Sequence, residues 1–409
     1  MMPIRHALTV TALLLAAPAL AQSTPPGKDQ AVGQNFLVTS ESLPAPGATD
    51  SVAASSQQVA RGDHLPIVPD GFSVNLFLDG LPDPRRFLVA SDGTIYMAAQ
   101  SAGIVISLSD ADGDGKADAG QVILQGLRGP FGLGFAGGDA PGLIASDVNG
   151  LYRAPLEGGS FAPITDAGVF GRPKGHTTRS VAIDPKSGDI FVGVGSVNNI
   201  SDSEEKMKAT IQRFAAGSTT PTTYATGMRN VTAMAFQPGT DDLYAVTMER
   251  DGMGDELVPD YLTRVQQGDD FGWPFQYIGG NGQPDYANSG VKRVPAKVPD
   301  VLFAAHSAPL DLAFVPDSWP EHYRGGVIVA LHGSWNAGQP RGYKLVFVPF
   351  KDGRPTGGYE NFMTGFWVSG TSPAEVWGRP AALAFLPDGA LLVGDDLGGS
   401  IWRVAPPKS

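Results

Sequence analysis

Arg128, His176 and Arg229 each stand four residues ahead of a short apolar strand, and Arg379, His306, Arg85 and Arg86 stand one to five residues ahead of three others. A second polar set follows the next strand of each unit: Gln100, Asp147, Asn198, Asn199, Glu249, Arg250, His332, Asp395 and Asp396. If the chain brings these positions together, they form a basic ring that contains imidazoles. Guanidinium groups hold planar anions through paired N–H donors, and a neutral imidazole accepts protons near neutral pH. The chemistry this predicts is an anionic ligand held on an axis, with a histidine placed for proton transfer. Taken singly, each residue is equally a solvated loop residue or a partner for buried backbone groups.

The elements that must position them recur along the chain. The unit is an apolar strand at 87–90, a Ser-Asp-Gly turn at 91–93 and a second apolar strand at 94–99 that ends in Gln100. Equivalent units begin at Gly132, Ser180, Ala233, Asp311 and Ala382, in steps of 45, 48, 53, 78 and 71 residues from Phe87. Short strands repeating every 40 to 50 residues signal sheets stacked around an axis. Six units predict an all-β, six-bladed β-propeller over residues 67–409, with insertions in the fourth and fifth intervals. The 53 glycines and 34 prolines suit such a turn-dense chain. Closure needs the last blade completed, and the alternating segment 71–78 is predicted to supply its outer strand. A β-sandwich, or two β-domains, is the competing reading.

Residues 1–21 read as a signal peptide, with Arg5 and His6 ahead of an apolar run and Ala19-Leu20-Ala21 before Gln22. A periplasmic or secreted mature protein is expected. Residues 22–66, rich in Ser, Ala, Pro, Gly and Gln, read as an extended N-terminal segment instead of a domain. No later run approaches about 20 apolar residues, so no membrane span is expected. The absence of cysteine excludes disulfides, thiolate metal sites and covalently attached haem. A redox enzyme of this composition needs a non-covalent cofactor or a protein carrier. The net charge of −12 argues against nucleic acid and suits a small neutral substrate.

Asp110, Asp112 and Asp114, with Gly115 and Asp118, have the D-x-D-x-D-G spacing that wraps alternate carboxylates around Ca²⁺. A structural calcium loop in the first blade is expected, against a solvated acidic turn.

The segments PRRFLVASDGTIYMA, GHTTRSVAIDPKSGDIFVGVGS, GMRNVTAMAFQPGTDDLYAVTMERDG, FGWP, HGSWN and GRPAALAFLPDGALLVGDD occur in order over residues 67–405. Together they resemble the glucose/sorbosone dehydrogenase family of pyrroloquinoline-quinone (PQQ) enzymes. The resemblance implies oxidation of an aldose, a pyranose or a sugar-derived aldehyde by hydride transfer to PQQ, with electrons passing on to an external quinone or cytochrome. It implies His176 as general base, and Arg229, Asn230 and Arg379 as PQQ contacts, with Gln100 a further one. Ala337 follows HGSWN where many sorbosone-type relatives carry Arg, so the family's lysine contact falls to Arg341 or Lys344. A catalytic Ca²⁺ is implied in the loop 249–256, at Arg250, Asp251, Gly252, Asp255 and Glu256. A calcium-dependent lactonase and a non-catalytic propeller binding a glycan or protein are the competing functions.

Overall fold

The computed structural model describes residues 29–137, 141–289 and 293–407; the expected signal peptide lies outside them. Among the described residues the regular elements are strands and three short 3-10 turns, and no helix is long and apolar enough to cross a membrane. Six large sheets begin with the strands Pro84–Val89, Leu133–Ala136, Val181–Ile183, Asn230–Phe236, Pro309–Phe314 and Pro380–Phe385. Each pairs antiparallel with the strand that follows it. These are the strand pairs of the six sequence repeats.

Second strands such as Ile95–Ala99, Ile190–Val194 and Val327–Leu331 are buried along their whole length. They are covered on both faces by neighbouring sheets, which is why they read as unbroken apolar runs with no alternation. The six first strands touch one another in cyclic order, the last meeting the first. This is the arrangement of the β-propeller class. Ser73–Leu78 pairs antiparallel with Ser400–Ala405, so an early strand completes the last sheet, as the alternation at 71–78 predicts.

Side chains of the two inner strands join successive sheets around the axis. Ser146 Oγ donates to Arg179 O (2.5 Å), Ser180 Oγ to Val231 O (2.9 Å) and Thr232 Oγ1 to Pro309 O (2.6 Å), while Leu383 N donates to Asp311 Oδ2 (2.9 Å). Arg86 crosses from the first sheet to an ion pair with Asp311 and a 2.8 Å bond to Thr232 O. Both charges are buried, and Phe131 lies 5.0 Å from the guanidinium. A cavity of about 430 Å³ lined by the first strands abuts this pair.

From Asp29 on, the segment expected to be extended and not a domain runs along the sheets as a strap. Asn35–Phe36 adds a fifth strand to the fifth sheet, and Gln57–Gln58 pairs in parallel with Glu375–Val376. Between them Gly47 N donates to Met253 O, Thr49 Oγ1 accepts from Asp255 N, Ser51 Oγ accepts from Gly254 N, and Ala54 N donates to Trp335 O. These bonds are mostly made by the backbone and by small hydroxyl residues, so polar composition conceals them.

Breaking a buried ion pair from one side leaves an uncompensated charge, which costs roughly 3–5 kcal/mol. Arg86→Met should therefore lower unfolding free energy by about that much in denaturant titration, and Arg86→Met/Asp311→Leu should recover most of it.

Candidate active site

Antiparallel pairing sets the start of each first strand beside the end of the second: Pro84 opposite Ala99, Asn230 opposite Met248, Pro309 opposite Leu331 and Pro380 opposite Asp395. The polar residues flanking these strands therefore share one rim. There they form two clusters.

The first lines a cavity of about 260 Å³ formed by His176, Arg229, Asp251, Asp260, His306, Trp335 and neighbouring residues. His176 Nδ1 lies 2.9 Å from Ser196 O and 3.2 Å from Ser196 Oγ, whose own hydrogen goes to Asn198 O. The Nδ1 site therefore carries the proton, leaving the Nε2 lone pair as the basic one. Burial, reinforced by the Arg229 charge, pushes the imidazole down to about 4, so it is neutral at ordinary pH. A Cβ at Gly195 would meet Asn230 Oδ1 at 2.5 Å and His176 Cβ at 2.6 Å, so only glycine lets these residues approach so closely. Asn230 is buried and accepts from Thr178 Oγ1 (2.9 Å), bracing the histidine loop.

Arg229 donates to Glu249 O (2.7 Å), Asn199 O (3.3 Å) and Asp251 Oδ2 (3.2 Å). Asp251 Oδ1 accepts from Asn336 Nδ2 (2.6 Å) and lies 3.7 Å from His306 Nδ1. Burial alone would raise Asp251, but His306, Arg229 and Asn336 hold it below the usual carboxylate range. Beneath them Asp260 accepts from Glu249 N and Ala308 N (both 2.8 Å), and burial raises its carboxyl.

The second cluster centres on Asp396, which pairs with Arg85, with His332 Nε2 (2.9 Å) and with Arg379 (3.6 Å). Burial opposes its ionisation, yet His332, Arg85 and Arg379 hold it well below the usual range. Asp395 caps the turn, accepting from the backbone N–H groups of Arg379, Leu397 and Gly398. Asp147 caps its own turn in the same way, accepting from Arg128 N, Asn149 N and Gly150 N. Gln100 lies next to Gly129 on the same rim.

Other predicted residues go elsewhere. Lys344 Nζ donates to Asp29 O (2.7 Å) and to its carboxylate (3.1 Å), over the Phe36 ring, and Arg341 spans to Glu256. Both line a second cavity of about 370 Å³ beneath the strap, which shares no lining residue with that of His176. Arg250 is buried against Glu249, Pro274 O, Gln276 O and Gln283, anchoring the insertion after Phe271. Asp255 accepts from Gly338 N, and Gly252 has a φ of 90° with open space where a Cβ would stand. The carboxylates of the loop 249–256 thus diverge to separate partners. The carbonyls of Glu249, Asp251, Met253 and Gly254 already accept from Arg229, Asn199, Gly47 and His306. Among the described residues no three carboxylate or imidazole groups of this loop converge on one point. By contrast, ligand atoms of Asp110, Asp112 and Asp118 lie within 4.8 Å of one another. Asp114 is outside that group and accepts from Lys116 N (2.8 Å).

Five residues of this cavity were not assigned from the sequence, of which Met248 and Ala308 are apolar and Asp260, Trp335 and Asn336 bear polar or aromatic groups. Trp335 and Asn336 sit inside the HGSWN motif, where their types alone were a signal; Asp260 carries none.

The fold and rim define a β-propeller whose mouth carries arginines and a histidine held neutral by burial. Residues 66–259 and 259–406 match the TrAA12-like family model, and the chain belongs to that family. A relative described as an uncharacterised protein of Borreliella burgdorferi is 30% identical over 363 residues, covering 82% of this chain and 90% of the other. The iodide structure of a Trichoderma reesei carbohydrate-active enzyme of family AA12 superposes with a TM-score of 0.70 at 20% identity, over 86% of this chain and 100% of that one. The holo PQQ domain of pyranose dehydrogenase from Coprinopsis cinerea gives 0.69 at 19% identity, over 85% and 98%. The resemblance carried by the sequence motifs, to the PQQ-dependent sugar dehydrogenases, is borne out at the level of the family.

His176 binds its proton less readily folded than unfolded, so its contribution to stability is fully present above pH 6.5 and is lost as pH falls from 6.5 to about 4. Between pH 7.5 and 4 the wild type should lose about 2–3 kcal/mol more than His176→Gln in denaturant titrations. Parallel losses would show that the imidazole is not desolvated.

Proposed function

We propose that the six sheets are the blades of one six-bladed propeller which, with PQQ at its rim, oxidises a pyranose or aldose. The observation that carries this is the neutral His176, tied at Nδ1 and with no hydrogen bond at Nε2 among the described residues, in a cavity beside Arg229. The residues suit an anionic cofactor. Among the described residues the Nε atoms of Arg85 and Arg379 are buried without a hydrogen bond, at 3.9 Å from Asp83 and 3.6 Å from Asp396. Arg229 uses one N–H on each terminal nitrogen and keeps another on each. Arg85, Arg379 and Arg229 would hold the carboxylates, with Asn230 bracing His176 and Gln100 a further rim contact. Arg341 and Lys344, committed to Glu256 and Asp29, have no part in it.

Bound PQQ would supply a quinone that accepts one hydride, that is two electrons with one proton. His176 Nε2 takes the proton from the substrate hydroxyl, and its Nδ1–H stays on Ser196, which fixes the ring plane. Asp251 compensates the Arg229 charge beside it. Because the carboxylates of the loop 249–256 turn to separate partners, no step is assigned to a cation there. A structural Ca²⁺ is assigned to Asp110, Asp112 and Asp118. The leader at 1–21 supports export, and an external quinone or cytochrome would remove the electrons.

Purified protein reconstituted with PQQ should reduce a dye in the presence of an aldopyranose. His176→Ala should lower turnover about 10²–10⁴-fold while retaining PQQ binding by titration. The acid limb of kcat/KM should fall near pH 4 because the base must be neutral. Failure to bind PQQ would overturn the reading. Asp112→Asn, or a chelator, should lower the melting temperature without changing PQQ affinity, checked by calorimetry and titration.

A further inference from the structure

Among the six tryptophans, Trp273, Trp319, Trp367, Trp377 and Trp402 are buried, whereas Trp335 is 53% exposed. The other large apolar side chains that are exposed among the described residues, such as Leu37, Val122 and Val294, are aliphatic and line no part of the His176 cavity. Trp335 does line it.

The backbone on both sides of this residue is pinned. Ser334 N donates to Arg341 O (2.9 Å), Arg341 N donates to Ser334 Oγ (3.0 Å), and Tyr343 Oη donates to Ser334 O. Trp335 O accepts from Ala54 N of the strap (2.7 Å). Asn336 is buried, with Nδ2 bonded to Asp251 Oδ1. Residues 334 and 336 are thus tied into the protein while the indole between them faces the cavity mouth. It has no ring partner among the described aromatic pairs. An indole left half in water forgoes stabilisation that burial would provide, while those bonds hold its backbone at the cavity.

We propose that Trp335 is a specificity-determining residue, the platform on which a pyranose ring stacks while one of its hydroxyls meets His176. A pyranose offers a flat face of C–H groups with weakly positive hydrogens, which pack on the negative face of an indole, while its hydroxyls point sideways to polar partners. Arg229, Asp251 and Asn336 stand on the same cavity wall to receive them. The substrate class this selects is a closed six-membered ring with an unencumbered C–H face, over a short acyclic hydroxyaldehyde, which has no such face to stack.

The inference rests on the dehydrogenase reading, and two measurements separate their failures. In PQQ-reconstituted full-length protein, Trp335→Ala should raise KM for an aldopyranose about tenfold or more. Change in kcat and PQQ affinity should be small, Trp335→Phe should recover much of the loss, and KM for glyceraldehyde should not move. Independently of turnover, 1,5-anhydroglucitol should shift and quench the red-edge tryptophan emission of the wild type, and should leave that of Trp335→Phe unchanged. Oxidation with a KM unaltered in Trp335→Ala would overturn the platform and keep the dehydrogenase. If PQQ fails to bind, the enzymatic reading falls, and the fluorescence titration still decides: a shift lost in Trp335→Phe supports stacking, and no shift overturns it.

Discussion

A pair of opposite charges buried on the axis holds the rest in register. Arg86 comes from the first sheet, Asp311 from the fifth; the guanidinium also reaches the Thr232 carbonyl in the fourth, and the carboxylate accepts from Leu383 N in the sixth. Desolvating both groups is costly, and the arrangement persists because each has further hydrogen bonds beyond the pair. Four sheets are thereby fixed relative to one another at the level where their first strands begin. The rim residues start from those same strand ends, so the geometry of the mouth follows from the charge pair beneath it.

The mouth has little uncommitted charge. Asp396 gathers Arg85, His332 and Arg379, while Asp251 is shared by Arg229, Asn336 and His306. Neutralising cations on the rim would seem to spend the attraction for an anion, yet these carboxylates fix the guanidinium planes and leave selected N–H groups free. The same electrostatics acts on His176. A histidine held neutral by burial and a neighbouring cation is the form that can accept a proton, whereas a histidine paired with a carboxylate favours the charged form.

The strap connects these features to the surface. It lends backbone and hydroxyl bonds to residues 253–255 and to Trp335, in two loops that both contribute to the cavity lining. Loops of this length are otherwise the mobile parts of a β-fold, and a second layer of hydrogen bonds is what makes a side chain on them a fixed platform. The cavity holding Lys344 and Arg341 is a consequence of the same strap, because Asp29 brings the counter-charge that draws Lys344 away from the axis.

The repeat, the strand pairs, the closing strand at 71–78 and the placement of His176, Arg229 and Arg379 at one mouth were all legible in the sequence. They depend on local alternation, turn chemistry and spacing, which the chain carries residue by residue. The partners of those residues were not. That Arg250 turns inward to the Phe271 insertion, that Lys344 meets Asp29 from 315 positions away, and that Asp255 caps Gly338 instead of joining Asp251 depend on which loops lie side by side once the ring closes. A charge is satisfied by whichever opposite group or amide lies within a few ångströms, and the one-dimensional pattern carries no record of that distance. The sequence by itself determined the sheets and the rim; the tertiary structure decided which rim groups remain free to act.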